Sequence, residues 1–154
     1  MLKGIKQSDK ELLPVIQDYG CLFLCFAQVS PLIFEGTEGR KALNKIWMEA
    51  EKKGYISGDI NRDGDYDDSG EAEIINHNGL ANEFFALSVR YDNMHHKADE
   101  KIPSSVKVVF GKYVYKFGHF VVLNKSKSVT FDSFGVSNTV KNGKLESMRW
   151  YYAG

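Results

Sequence analysis

A chain of 154 residues, 43% of them hydrophobic, is long enough to bury one substantial core, and the expectation is a single domain over residues 1–154. Its 20 basic residues balance its 20 acidic ones, so the whole chain has no net attraction for nucleic acid or an anionic membrane, and neither is expected as a partner. No run approaches the roughly 20 apolar residues of a membrane span, and Met1 to Gln17 scatters Lys3, Lys6, Asp9, Lys10 and Glu11 among its apolar residues, unlike a signal peptide; the expected location is the cytoplasm.

The first predicted element is a helix from about Gly20 to Val29, closed by Ser30-Pro31, because proline resists continuing a helix. Leu22, Phe23, Leu24, Phe26 and Ala27 leave little face for water, which marks a central, buried helix. Cys21 follows Gly20 at its start, where the first-turn amides and the helix dipole favour a thiolate; the alternative is a small buried hydrophobe. Cys25, one turn deeper, reads as packing. A bridge between the two along one helix would misalign their Cβ vectors, and two sulfurs are too few for a structural zinc site, so both are expected as thiols.

A second helix is predicted from Thr37 to about Lys53, with Leu43, Ile46, Trp47 and Ala50 at helical spacing and Gly54 as its C-terminal cap. Next comes an acidic stretch, Asp59-Ile60-Asn61-Arg62-Asp63-Gly64-Asp65-Tyr66-Asp67-Asp68-Ser69-Gly70-Glu71. Oxygen ligands at its first, third and fifth positions with glycine at the sixth match the front of an EF-hand-type calcium loop. Gly70 stands where the loop's closing glutamate belongs and Glu71 comes one residue late. Asp59, Asn61, Asp63, Asp65 and Glu71 are therefore the candidate ligands of a structural Ca2+, against a plain solvated acidic turn.

Asn78 is expected to cap a short third helix through Leu80, Phe84, Phe85 and Leu87. The segment from Asp92 to Ser105, including His95-His96, reads as a long mobile loop. Strands follow at Val106 to Phe110, Tyr113 to Phe117, His119 to Leu123, Val129 to Asp132 and Leu145 to Tyr152. Lys141-Asn142-Gly143-Lys144 carries the Asn-Gly signal of a type I′ hairpin turn. Helices first and antiparallel strands afterwards define an α+β chain.

Two residues among these strands have the right chemistry to act on Cys21. His119 follows Gly118 at the head of an apolar strand, and Asp132 comes thirteen residues later, a distance that a strand, the turn Lys125-Ser126-Lys127-Ser128 and a return strand close. Asp132-Ser133-Phe134-Gly135 is also a good turn starter in its own right. A thiol, an imidazole and a carboxylate are the parts of a nucleophile, its base and the group that orients the base.

Gln17, Cys21, Gly118-His119 and Asp132 to Gly135 together resemble the C39-like branch of the papain-like cysteine peptidases, at three separated places covering about a quarter of the chain. The resemblance implies a papain-like fold, with the nucleophile on the core helix packed on a C-terminal antiparallel sheet. It implies Cys21 as nucleophile, His119 as base, Asp132 as orienter, and Gln17 with the Cys21 amide as donors to the oxyanion. The family often has Asp-Pro where this chain has Asp132-Ser133, and a glycine where it has Leu22. The more distant NlpC/P60 enzymes usually show Asp-Cys-Ser where this chain has Gly20-Cys21-Leu22. The expectation is a cysteine peptidase or amidase acting on a peptide or peptidoglycan-type amide, with no cofactor for catalysis. The alternatives are acyl transfer or deamidation by the same triad, and a non-catalytic, calcium-stabilised binding module on the same fold.

Overall fold

Helical periodicity in the first half of the sequence and strand alternation in the second both reach the folded chain. A computed structural model describes residues 1–57 and 73–154. The chain divides into two compact units, Met1–Leu87 and Ser88–Gly154, and its architecture is mixed helix and mostly antiparallel sheet, as an α+β chain requires.

In the first unit, β1 (Leu2–Lys3) pairs in parallel with β2 (Phe34–Glu35). Between them lie α1 (Pro14–Tyr19) and α2 (Cys21–Val29). The sequence reading had no α1; the available signal was Pro14, which suits a first helical position because its missing N–H would have no acceptor there. Helix α2 fulfils its expectation, with Phe23, Leu24, Cys25, Phe26 and Ala27 buried and Ser30 as its extended C-cap. Helix α3 (Gly36–Lys52) buries Leu43, Trp47 and Ala50, and Gly54, at φ +77°, ends it in the left-handed conformation that glycine adopts without strain. Strands β3 (Ile56–Ser57) and β4 (Glu73–Ile74) pair antiparallel. Helix α4 (His77–Gly79) then runs into a π-helical turn over Leu80–Phe84. Its cap is Asn76, whose side chain accepts the Gly79 N–H at 2.8 Å, and not the expected Asn78. The core of this unit is aromatic: Phe23 meets Trp47 edge-on at 5.0 Å and Phe85 at 5.3 Å, and Phe34 meets Phe85 at 5.9 Å.

The second unit holds β5 (Val89–Tyr91), β6 (His96–Lys97), β7 (Val106–Val114), β8 (Gly118–Leu123), β9 (Val129–Phe131), α5 (Asn138–Asn142) and β10 (Lys144–Ala153). The sheet order is β5-β10-β7-β8-β9, with β6 also on β10, and every pairing is antiparallel. Ile102, Val106, Val109, Val121, Leu123, Met148 and Trp150 form its apolar cluster.

Three expectations change here. The two strands read on either side of Gly111-Lys112 are one strand, β7, because Gly111 stays in the ladder opposite Met148 and Val121. A Cβ on Gly111 would sit 2.6 Å from Leu123 Cδ1, so this glycine serves close packing and not a break. The expected hairpin at Lys141–Lys144 is absent: Asn142 closes α5, Gly143 has φ −100°, and β10 pairs with β7 instead of the strand before it. Gly143 is needed for room, since a Cβ there would lie 2.3 Å from the Thr139 carbonyl oxygen and 2.5 Å from that of Val114. Finally, the expected loop at Asp92–Ser105 contains β6. His96 is buried, stacked at 3.4 Å on Trp150, and bonded through Nε2 to Asp92 Oδ2 at 2.6 Å.

Among the described residues no helix is long and apolar enough to cross a membrane.

Candidate functional site: a buried imidazole–carboxylate pair

The turn between β8 and β9 is built by Asn124. Its Oδ1 accepts the Ser126 and Ser128 amides at 3.1 and 2.9 Å, its carbonyl accepts the Lys127 amide, and Lys127 takes the left-handed conformation at φ +67°. Strand β9 then returns along β8 with a register shift between the pairs Val122–Phe131 and Leu123–Val129. A bulge of this kind re-aims the residues beyond it. Asp132, the first residue past β9, ends up with Oδ1 2.7 Å from His119 Nε2. Both residues are buried, at 4% exposure for His119 and 8% for Asp132.

The two roles foreseen for Asp132 coexist. As a turn starter it accepts the Gly135 amide on its carbonyl at 2.8 Å and the Phe134 amide on Oδ1 at 3.0 Å, with Gly135 at φ +86°. Its Oδ2 takes the Ser137 amide at 3.0 Å. Burial by itself would push this carboxyl up, but the His119 hydrogen bond, the Ser137 side chain and the Phe134 and Ser137 amides overcome it and hold Asp132 at about 2, below its ordinary 3.8. An ionised carboxylate only accepts, so the hydrogen between the pair sits on His119 Nε2. The Phe134 ring packs against the imidazole at 5.3 Å.

Sequence reading missed Phe134 and Ser137. Ser137 was legible as an N-cap, since its Oγ accepts the Val140 amide at 3.2 Å and starts α5. The Asn-Gly pair further along drew the segment toward a hairpin instead.

Cys21 and Gln17 belong to the first unit. Gly20 ends α1 and caps α2 at once, and a Cβ there would lie 2.4 Å from the Ile16 carbonyl oxygen, so only glycine lets one helix follow the other this closely. Cys21 is therefore the opening residue of α2, in the turn whose amides find no acceptor inside the helix. It is partly exposed where Cys25 is buried, and neither is in a disulfide. Gln17, on α1, donates one Nε2 hydrogen to the Leu12 carbonyl at 2.8 Å, and its own carbonyl accepts from Gln7 at 3.0 Å.

The proposed calcium ligands Asp59, Asn61, Asp63, Asp65 and Glu71 lie outside the described residues. Among the described residues no three His, Cys, Asp or Glu side chains gather as a metal site would need.

Fold and site together define an α+β protein carrying a buried histidine–aspartate pair on the rim of an antiparallel sheet. The model of a family described as a protein of unknown function, DUF261, matches residues 1–153, and the chain belongs to that family. No curated protein and no solved structure matches it.

Proposed function

We propose that this chain is a cysteine hydrolase with a papain-like, C39-like fold, cleaving an amide bond in a peptide or peptidoglycan-type substrate. The observation that carries the reading is the buried 2.7 Å bond between His119 Nε2 and Asp132 Oδ1. It fixes one ring nitrogen on an ionised carboxylate, which is how a catalytic imidazole is oriented and its charged form stabilised.

In the proposed cycle His119 Nδ1 takes the proton of Cys21, and the sulfur forms a bond to the carbonyl carbon of the amide. The charge on the carbonyl oxygen is held by the Cys21 backbone amide and by the second Nε2 hydrogen of Gln17, the first being engaged with Leu12. The carbon–nitrogen bond then breaks, and the amine leaves with the proton from His119. Water, giving its proton to His119, attacks the thioester and releases the acid and the thiol. Asp132 stays ionised throughout and stabilises the imidazolium.

The experiment is a panel of peptide and amide substrates incubated with wild type, Cys21→Ala and His119→Ala, with products resolved by mass spectrometry. A free carboxylic acid formed by wild type and lost in both variants supports hydrolysis. A new amide formed with an added amine identifies acyl transfer by the same residues. Turnover that survives Cys21→Ala sinks the reading.

A further inference from the structure

Strand alternation separates the two faces of the second unit's sheet. Arg149 on β10 stands opposite Phe110, which stands opposite Val122, so these share one face, and Phe120 lies two residues along the same strand from Val122. His119 shares the other face with Val121. Arg149 is only 5% exposed. Its Nη1 donates to Ser147 Oγ at 2.9 Å and to the Met148 carbonyl at 3.3 Å, and its guanidinium lies 5.2 Å from the centre of the Phe120 ring.

Among the described residues Arg149 forms no ion pair, and its Nε and Nη2 have no acceptor. The open N–H groups are not sealed from solvent, so a ligand can reach them, and a charge so largely withdrawn from water with only neutral oxygens and a ring beside it is one that a bound anion stabilises. The surroundings have the matching sign. His95 is held below its ordinary value first by burial and then by the charges of Arg149 and Lys112, while the one carboxylate acting on both His95 and Arg149, Glu146, pairs with Lys112 at 3.9 Å. The open Nε–Nη2 edge is the planar fork that grips two oxygens of one group at once.

We propose that Arg149, supported by the charge of Lys112, is the anchor of a binding site for a small oxyanion, the carboxylate or phosphate group of a ligand. The site is independent of the Cys21–His119 reading, because Arg149 and His119 occupy opposite sheet faces.

The test is calorimetric titration and thermal melting of the full chain with inorganic phosphate and, separately, succinate, at constant ionic strength set by chloride. Wild type is expected to bind one of the two saturably and to melt at a higher temperature with it; which one identifies the group. Arg149→Met, close in size and uncharged, should abolish both effects while melting no lower than wild type in chloride alone. Arg149→Lys, which keeps the charge and loses the fork, should weaken binding by about tenfold. If Arg149→Met does not fold, Lys112→Met, at a side chain one-third exposed, should raise the dissociation constant about threefold. Absence of saturable binding to wild type, equal binding to Arg149→Met, or an unchanged constant in Lys112→Met overturns the proposal.

Discussion

Replacing Asp132 by asparagine keeps the side chain's shape and removes its charge, and the structure sets the size of the effect. The folded protein holds this carboxyl at about 2 against an ordinary 3.8, and with about 1.4 kcal/mol per pH unit the ionised form stabilises the fold by roughly 2 kcal/mol. A carboxyl depressed on folding contributes above its unfolded value, and the contribution is lost as pH falls through the folded one. Wild type should therefore exceed Asp132→Asn in stability by a constant margin above about pH 5, and most of that margin, roughly 2 kcal/mol, should be lost between about pH 5 and pH 2. Urea unfolding of both proteins across that range measures it, and taking the difference removes the carboxylates they share. In His119→Ala the largest single support of the ionised carboxyl is gone, so Asp132 should titrate between 2 and 3.8, read from its carboxyl carbon by NMR. A stability margin that stays flat from about pH 5 down to pH 2 would refute the account of Asp132 as an ionised acceptor held by His119 and three further donors.

Other parts of the structure make equally direct statements. Phe23→Ala removes the ring that joins Trp47 to Phe85, and should cost about 3–5 kcal/mol in chemical denaturation; a loss below about 1 kcal/mol contradicts the aromatic core described for the first unit. Gly143→Ala forces a methyl group against the Thr139 and Val114 carbonyl oxygens and should destabilise by about 1–3 kcal/mol, whereas a neutral result would mean that α5 does not end as described. For the segment Asp59–Glu71, a structural calcium loop predicts that millimolar Ca2+ raises the melting temperature, that EDTA reverses it, and that Asp63→Asn with Asp65→Asn abolishes it. An identical melt with and without Ca2+ leaves only the acidic turn.

How much the sequence disclosed depends on how local each signal is. Helices α2 and α3 were legible because their apolar spacing and their stops, Ser30-Pro31 and Gly54, are contained within a few residues. The pairing of His119 with Asp132 was legible for a similar reason, since thirteen residues of strand, turn and strand leave few ways to return. The errors occurred where a glycine or an asparagine has two meanings. Gly111 and Gly143 both read as breaks or turns, but each answers to a neighbour far away in sequence: the Leu123 side chain in one case, the Val114 carbonyl in the other. The pairing of β7 with β8 brings Leu123 to Gly111, and the pairing of β10 with β7, which spans about 30 residues of chain by the strand bounds, brings Val114 to Gly143. His96 was misread for the same reason. Its partners Trp150 and Asp92 come together through β6 on β10, a pairing of two residues per strand that no periodicity announces. The network around Asp132 was half visible, with the Asx-type turn in the sequence and the role of the Ser137 amide only in the fold.

The central claim is that His119 activates Cys21, and site-resolved alkylation tests it most directly. Wild type and His119→Ala are treated with iodoacetamide at about pH 6, and the rates at Cys21 and Cys25 are followed separately by mass spectrometry. Cys21 is expected to react much faster than the buried Cys25 in wild type, and His119→Ala to bring Cys21 down toward the rate of Cys25. If Cys21 reacts no faster than Cys25, or keeps its rate when His119 is gone, the two residues do not work as a pair and the hydrolase reading is wrong.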